Sequence, residues 1–178
     1  MLEKLNEQRL KQLATEGFAV LDRLVSPDAL ETLLLGISGQ PLKERAGTRQ
    51  LHQRNPVIID FLRSEAIDRW TKEFIPGGFP VRSILFDKTP ETNWRVAWHQ
   101  DLSICVKERH ELAGYGPWAL KEGVPHVQPP VRVLERMIAL RLHLDDCFEE
   151  NGPLRVIPGS HLGGRLSADE ILHWRERG

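Results

Sequence analysis

The residues best suited to chemistry are the tripeptide His99-Gln100-Asp101, which follows an alternating segment that ends at Trp98. In an extended chain, residues i and i+2 point to the same side, so the imidazole and the carboxylate can face one point. A divalent metal accepts both groups, and non-haem Fe(II) oxygenases hold iron with two histidines and one carboxylate. A surface His–Asp pair without a metal explains the same spacing, so the tripeptide alone leaves both interpretations open.

A second His-x-Asp spacing, His143-Leu144-Asp145, lies in a segment where polar residues, beginning with Arg141, alternate with leucines. An antiparallel strand can simply present such a polar face to water. Alternatively, the polar face lies inside a small barrel that holds a ligand. There the Arg141 guanidinium would suit a carboxylate, because it can form two parallel charge-assisted hydrogen bonds. The periodicity favours neither of these two interpretations over the other.

A third motif, residues 151–161, reads Asn-Gly-Pro-Leu-Arg-Val-Ile-Pro-Gly-Ser-His. Its turn residues predict a hairpin, a short strand and a sharp exit. His161 fits a turn-capping histidine as well as a metal ligand. The chain has no glycine-rich phosphate loop, Gly-x-Ser-x-Gly elbow or Cys-x-x-Cys pair, which argues against nucleotide binding, serine hydrolase chemistry and zinc.

The elements that must position these residues belong to a chain of 178 residues, which predicts a single domain. A formal net charge of −1 argues against a nucleic-acid partner. No uncharged stretch reaches the length of a membrane span, and the charged N-terminus predicts no secretory signal. Cys105 and Cys147 are too few for a disulfide framework and indicate reduced thiols in a cytoplasmic protein.

Local signals predict helices in the first part of the chain and short strands after it, hence an α+β or mainly-β fold. One helix ends at Gly17, a second begins at Ser26-Pro27-Asp28, and two short helices cover roughly 56–75. Ser167 to Glu170 predicts a capping box for a last helix. Strands are expected at 18–21, 81–86, 94–98, 137–145 and 154–157, and a long irregular loop at 102–130.

Taken together, these motifs resemble the phytanoyl-CoA dioxygenase family of Fe(II)/2-oxoglutarate oxygenases. The resemblance rests on Phe-Ala-Val-Leu at 18–21, on Trp-His-Gln-Asp at 98–101 and on the motif at 151–161, and it covers about residues 17–166. It implies a mainly-β fold with N-terminal helices: a double-stranded β-helix, or cupin-like jelly roll. The helical region would then be 1–79 and a partial β-helix core 80–178.

The resemblance also implies roles for individual residues. His99 and Asp101 match the first two iron ligands, and Gln100 matches a position that contacts 2-oxoglutarate in some members. Arg141 matches a cosubstrate-lining position that is often Trp in the family. Lys88, on the preceding strand, faces either the same pocket or water.

The implied activity is a dioxygenase that hydroxylates a small organic substrate and converts 2-oxoglutarate to succinate and CO2. Asp101 argues against the halogenating relatives, which lack this carboxylate. Loop 102–130 would cover the pocket, because binding loops carry specificity. The candidate substrate contacts are Tyr115, Trp118, His126, Gln128 and His143.

The family's third iron ligand, a distal His, and the Arg that follows it lie beyond the residues matched here. We therefore expect a family member without its last strands, with an open barrel, weak iron binding and slow or absent turnover of 2-oxoglutarate on its own. Two other classes stay open: a non-catalytic barrel that binds a small metabolite through Arg141 and His143, and a metal-binding cupin-like isomerase. Iron, 2-oxoglutarate and a small-molecule substrate are the expected partners, without nucleic acid or membrane.

Overall fold

The computed structural model describes residues 2–38, 47–87, 96–149 and 152–177. The described residues form two compact units. The first unit holds residues 2–22, 96–102 and 154–177, and the second holds 23–38, 47–87, 103–149 and 152–153. Helices and small antiparallel sheets of two and three strands make up their regular structure. The prediction of one domain remains a prediction.

In the first unit, two helices begin and end where local signals predict. Helix α1, Leu2–Glu16, ends at Gly17, whose N–H donates to the Leu13 carbonyl at 3.0 Å. The φ of 79° at Gly17 is one that residues with a side chain rarely adopt. The last helix, Ala168–Arg177, follows a reciprocal cap, in which the Ser167 N–H donates to the Glu170 carboxylate at 2.7 Å.

A 3-10 turn, Ser160–Gly163, holds the end of the 151–161 motif against the C-terminus of α1. The Gly159 N–H donates to the Glu16 carbonyl at 2.9 Å, and His161 Nε2 lies 3.0 Å from the Ala14 carbonyl oxygen. A carbonyl only accepts, so Nε2 carries the proton. His161 therefore caps a helix, and this nitrogen is not available to a metal.

In the second unit, helices α2 (Pro27–Ser38), α3 (Pro56–Leu62) and α4 (Glu65–Phe74) occupy the positions expected from their capping residues. Asn55 joins two of them: its side chain accepts from the Ile58 N–H at 3.1 Å and donates to the Gly36 carbonyl at 3.0 Å. Asn55 is only 2% exposed, so both bonds are protected from water. Between residues 27 and 74, the buried apolar residues of the described ranges are Leu33, Ile37, Leu51 and Ile67.

The same unit contains two sheets. Strands β1 (Gly47–Arg49) and β2 (Ile84–Phe86) pair antiparallel, with Thr48 opposite Leu85. The second sheet has the order β3-β5-β4, with β3 Ile104–Cys105, β4 Trp118–Lys121 and β5 Val124–Val127. Its neighbouring strands are antiparallel, and a short helix α5, Val131–Leu134, follows it.

The strand predictions were right in only one segment, 81–86, where residues 84–86 form β2. The expected irregular loop 102–130 instead contains the three-stranded sheet, and no strand is found at 18–21, 96–98, 137–145 or 154–157. Alternation makes a strand only where a neighbouring strand completes the hydrogen bonds. Residues 94 and 95 lie outside the described ranges.

The sheets of the described residues are too small to show a jelly roll. Across the same ranges, no helix combines the length and the apolar character needed to cross a bilayer.

Candidate functional site

His99 lies in residues 96–102 of the first unit, on exposed chain that is not part of a strand. Its Nδ1 is 2.8 Å from the Ala97 carbonyl oxygen. Because that oxygen only accepts, Nδ1 carries the proton and Nε2 of the neutral ring keeps its lone pair. A backbone carbonyl that fixes the tautomer in this way is the usual second partner of a metal-binding histidine.

Gln100 ties the tripeptide to a distant part of the same unit. Its amide nitrogen donates to the Gly164 carbonyl at 2.8 Å, and its amide oxygen accepts from the Leu166 N–H at 2.8 Å. Both polar atoms of the Gln100 amide are thus bonded to backbone groups, as the backbone of a neighbouring strand would be. These bonds give Gln100 a positioning role, and its contact with 2-oxoglutarate remains a prediction.

Asp101 is exposed, as is His99 two residues before it. The prediction that His99 and Asp101 lie at the end of a strand is wrong, because residues 96–101 form no strand. Within the described ranges, no three His, Cys, Asp or Glu side chains are grouped closely enough to hold one metal ion. The tripeptide offers an imidazole with a lone pair on Nε2 and a carboxylate, which are two donor types of an iron site. Iron binding by His99 and Asp101 remains a prediction.

The segment that contains Arg141 and His143 lies in the second unit and keeps its alternation in solvent exposure. Arg141 and His143 are exposed, whereas Leu142 and Leu144 are half-buried. Leu140 departs from the pattern, with 51% of its surface exposed. The polar face of this segment is thus in contact with solvent, and the interior face that the resemblance favours is not formed among the described residues. Lys88 lies outside the described ranges.

The topology of the three-stranded sheet creates a cavity in the second unit. Strands β3 and β4 lie on opposite sides of β5 and both run antiparallel to it, so they are parallel to each other. The connection between them, residues 106–117, must therefore cross one face of the sheet. Trp118 and Val127 are directly opposite each other in the β4–β5 pair, hence on one face, and both line the space beneath the crossing chain.

This cavity has a volume of about 200 Å³. Val106, Leu112 and Val127 supply apolar walls, and Tyr115 and Trp118 supply two aromatic rings. The structure thus brings together two of the predicted substrate contacts, Tyr115 and Trp118. Both are half-buried, and Val127 is 1% exposed.

Charged and titratable side chains of the crossing chain lie near the cavity. Arg109 lies 5.4 Å from the centre of the Trp118 ring and forms an ion pair with Glu111 at 2.7 Å. His110 lies 3.1 Å from the Glu108 carboxylate. Lys107 lines the cavity and has no ion-pair partner within the part of the chain that the structure describes.

The other face of the sheet carries Cys105 and His126, which are directly opposite each other. His126 Nδ1 is 2.9 Å from the Val124 carbonyl oxygen, and its Nε2 is 3.4 Å from the Cys105 sulfur. The carbonyl fixes the proton on Nδ1, so the thiol donates to Nε2. Neither His126, 2% exposed, nor Gln128 lines the cavity with Tyr115 and Trp118. Their contact with a substrate remains a prediction.

Lys107 and His110 also line the cavity, and they were not predicted from the sequence. They lie in a run of charged residues, 107–111, that is typical of a solvated loop. Their position in the topology would have indicated it. A segment that links two parallel strands on either side of a central strand has to cross the sheet, and its residues then face the space beneath it.

Comparison with known proteins gives one match. The family model described as phytanoyl-CoA dioxygenase matches residues 13–174 of the chain. No curated protein and no solved structure matches it. The matched residues include the tripeptide at 99–101, the cavity and the turn motif at 151–161.

Proposed function

The chain belongs to the phytanoyl-CoA dioxygenase family, and from that premise we propose that it is an Fe(II)- and 2-oxoglutarate-dependent dioxygenase. It hydroxylates a small organic substrate. The family match over residues 13–174 carries this proposal, because it extends over the His-x-Asp motif. Members of this family are generally Fe(II)- and 2-oxoglutarate-dependent oxygenases. The proposal includes a double-stranded β-helix as the fold of the chain.

Nε2 of His99 and the carboxylate of Asp101 would hold the iron. The hydrogen bond from Nδ1 to the Ala97 carbonyl supports this role, since it directs the lone pair to Nε2. Bound iron, with 2-oxoglutarate and oxygen, supplies the oxidising chemistry: substrate C–H becomes C–OH, while 2-oxoglutarate becomes succinate and CO2.

The other residues prepare the site. Gln100 holds the tripeptide to residues 164–166 and so fixes the direction of the side chains on either side of it. The partners are small molecules, without nucleic acid or membrane, and the location is the cytoplasm.

Succinate release tests the proposal. The purified chain is incubated with Fe(II), ascorbate and 2-oxoglutarate in air, and succinate is measured by mass spectrometry. We expect slow succinate formation that depends on both Fe(II) and 2-oxoglutarate and that disappears in Asp101→Ala. Succinate formation that is unchanged in Asp101→Ala contradicts the proposal.

A non-catalytic small-molecule binding protein is the second candidate. The observation that favours it is the partly open cavity of the second unit, whose lining residues need no metal to bind a ligand. Ligand binding without any succinate formation would select this candidate.

A further inference from the structure

Cys105 and His126 form a nucleophile–base pair on the face of the three-stranded sheet that does not carry Trp118 and Val127. We propose that Cys105 is a site of oxidation by hydrogen peroxide, with His126 as the general base that removes the thiol proton. The product is a cysteine sulfenic acid. Both residues belong to the second unit, and the proposal depends neither on iron nor on the proposed function.

Three groups of this sheet have the arrangement that a nucleophilic cysteine requires. The Cys105 sulfur is 3.4 Å from Nε2 of His126, and Nδ1 of the same ring is 2.9 Å from the Val124 carbonyl oxygen. A nucleophile within hydrogen-bond reach of a base, which a third group orients, is the usual arrangement in nucleophilic catalysis. Because the carbonyl keeps the proton on Nδ1, the lone pair of Nε2 can take the thiol proton.

The sheet keeps the two side chains in contact. Cys105 and His126 are directly opposite each other in the β3–β5 pair, and Ala119 of β4 is opposite His126 on its other side. His126 is 2% exposed, so water does not compete with the thiol for Nε2. An imidazolium that forms during the reaction still donates from Nδ1 to the Val124 carbonyl, which stabilises it.

The surroundings of Cys105 favour a small oxidant. Cys105 is partly exposed, and it lies on β3, an edge strand that has β5 as its neighbour in the described sheet. Hydrogen peroxide is little larger than water and can approach a thiol that is only partly exposed. The deprotonated sulfur is the species that peroxide oxidises, so a base beside the thiol determines the rate.

The step is a two-electron oxidation of the sulfur. Nε2 of His126 takes the thiol proton while the Cys105 sulfur attacks one oxygen of the peroxide. An S–O bond forms and the O–O bond breaks. The hydroxide that leaves takes a proton from the imidazolium and becomes water. Cys105 is then a sulfenic acid, one peroxide has been reduced to water, and His126 is neutral again.

The other thiol of the chain, Cys147, provides an internal comparison. Cys147 is exposed, and it has no hydrogen-bond partner within the part of the chain that the structure describes. If exposure alone determined the rate of oxidation, Cys147 would react faster than Cys105. Faster oxidation of Cys105 would therefore measure the contribution of His126.

Trapping of the sulfenic acid tests this proposal on the full 178-residue chain. A chelator is present, so that iron does not generate radicals. The chain is treated with hydrogen peroxide and dimedone, which labels sulfenic acids, and mass spectrometry follows the labelling of Cys105 and Cys147. We expect Cys105 to be labelled at least about tenfold faster than Cys147, because a positioned general base accelerates proton removal. Labelling of Cys105 that is equal to or slower than that of Cys147 overturns the proposal.

The same measurement in urea is the control for the local sequence. Unfolding separates Cys105 from His126, so the two thiols should then be labelled at similar rates. A preference for Cys105 that persists in the unfolded chain contradicts the role of His126.

A variant identifies the base. His126→Gln keeps a polar side chain of similar size but cannot take the thiol proton, and we expect labelling of Cys105 to become at least about tenfold slower. The matched control is His173→Gln, at an exposed position of the last helix. Circular dichroism shows whether each variant is folded. Undiminished labelling of Cys105 in folded His126→Gln overturns the proposal. If this variant does not fold, the comparison of the two thiols in the unmodified chain still decides.

Discussion

Residues 99–101 and the cavity beneath residues 106–117 differ in what surrounds their functional groups. The side chains of His99 and Asp101 are exposed, and backbone groups at Ala97, Gly164 and Leu166 position the tripeptide. The cavity is partly enclosed, and apolar and aromatic side chains line it. The tripeptide is thus oriented for a ligand that binds from solvent, whereas the cavity is shaped for a ligand that displaces water.

Changes that remove supporting contacts therefore have different consequences in the two regions. In the cavity region they reduce the stability of the fold, because the sheet is the cavity wall. In the tripeptide they reduce metal affinity, because the supporting bonds fix orientation.

The largest effect, a decrease in the free energy of unfolding, is expected from His126→Ala. This substitution removes a side chain that is 2% exposed, together with its bonds to Val124 and Cys105. It leaves a void in the sheet and removes the acceptor of the Cys105 thiol, for a loss of about 3 kcal/mol in the free energy of unfolding. Urea unfolding measures it, with the exposed His173→Ala as the control. Equal unfolding free energies in the two variants would show that the sheet does not depend on His126.

A smaller effect on affinity is expected from Gln100→Leu. Loss of both amide bonds leaves His99 and Asp101 without their tie to residues 164–166, and metal affinity should fall about tenfold to hundredfold. Isothermal titration with Mn(II), which replaces Fe(II) without oxidation, measures it. Gln100→Glu keeps the oxygen that accepts from Leu166 and should give an intermediate loss. Unchanged affinity in Gln100→Leu contradicts the positioning role.

The smallest effect concerns the cap that follows residues 164–166. The Ser167 backbone N–H and then its hydroxyl donate to the Glu170 carboxylate, which lowers the pKa of Glu170 below its usual value of 4.5. The folded state therefore favours the charged carboxylate. This contribution is present above the unfolded pKa and is lost as the pH falls through the lower, folded pKa.

Ser167→Ala removes the hydroxyl part of this cap and should lower the melting temperature by about 2 to 4 °C at neutral pH. The difference from the unmodified chain should become smaller as the pH falls below 4.5, because protonated Glu170 accepts these bonds less strongly. Thermal unfolding at several pH values measures it. A difference that grows on acidification contradicts the assigned direction of the pKa.

The helices were predictable because their signals are local. Ser26, Asn55 and Ser64 each precede a helix, and Gly17 ends one. The sheets were not, because pairing depends on residues far apart in sequence. The alternation at 137–145 has no described partner strand, whereas β3, with only Ile104 and Cys105, is a strand because β5 pairs with it.

The candidate site divides in the same way. The metal-ligand role of His99 and Asp101 is predicted from their types and spacing. The hydrogen bonds of Gln100 span 64 and 66 residues, and no local signal predicts them. Tyr115 and Trp118 were expected in a binding loop, and they do line a cavity. The cavity itself depends on the order β3-β5-β4, which no short segment of the sequence specifies.

The central claim is that His99 and Asp101 hold the iron, and anaerobic absorption spectroscopy tests it most directly. Fe(II) and 2-oxoglutarate are added without oxygen to the unmodified chain, to His99→Ala and Asp101→Ala, and to the matched variants His173→Ala and Asp145→Ala. We expect a weak visible charge-transfer band in the unmodified chain and in the matched variants, and its loss in His99→Ala and Asp101→Ala. A band that persists in both of these variants, or that is lost only in Asp145→Ala, would contradict the assignment.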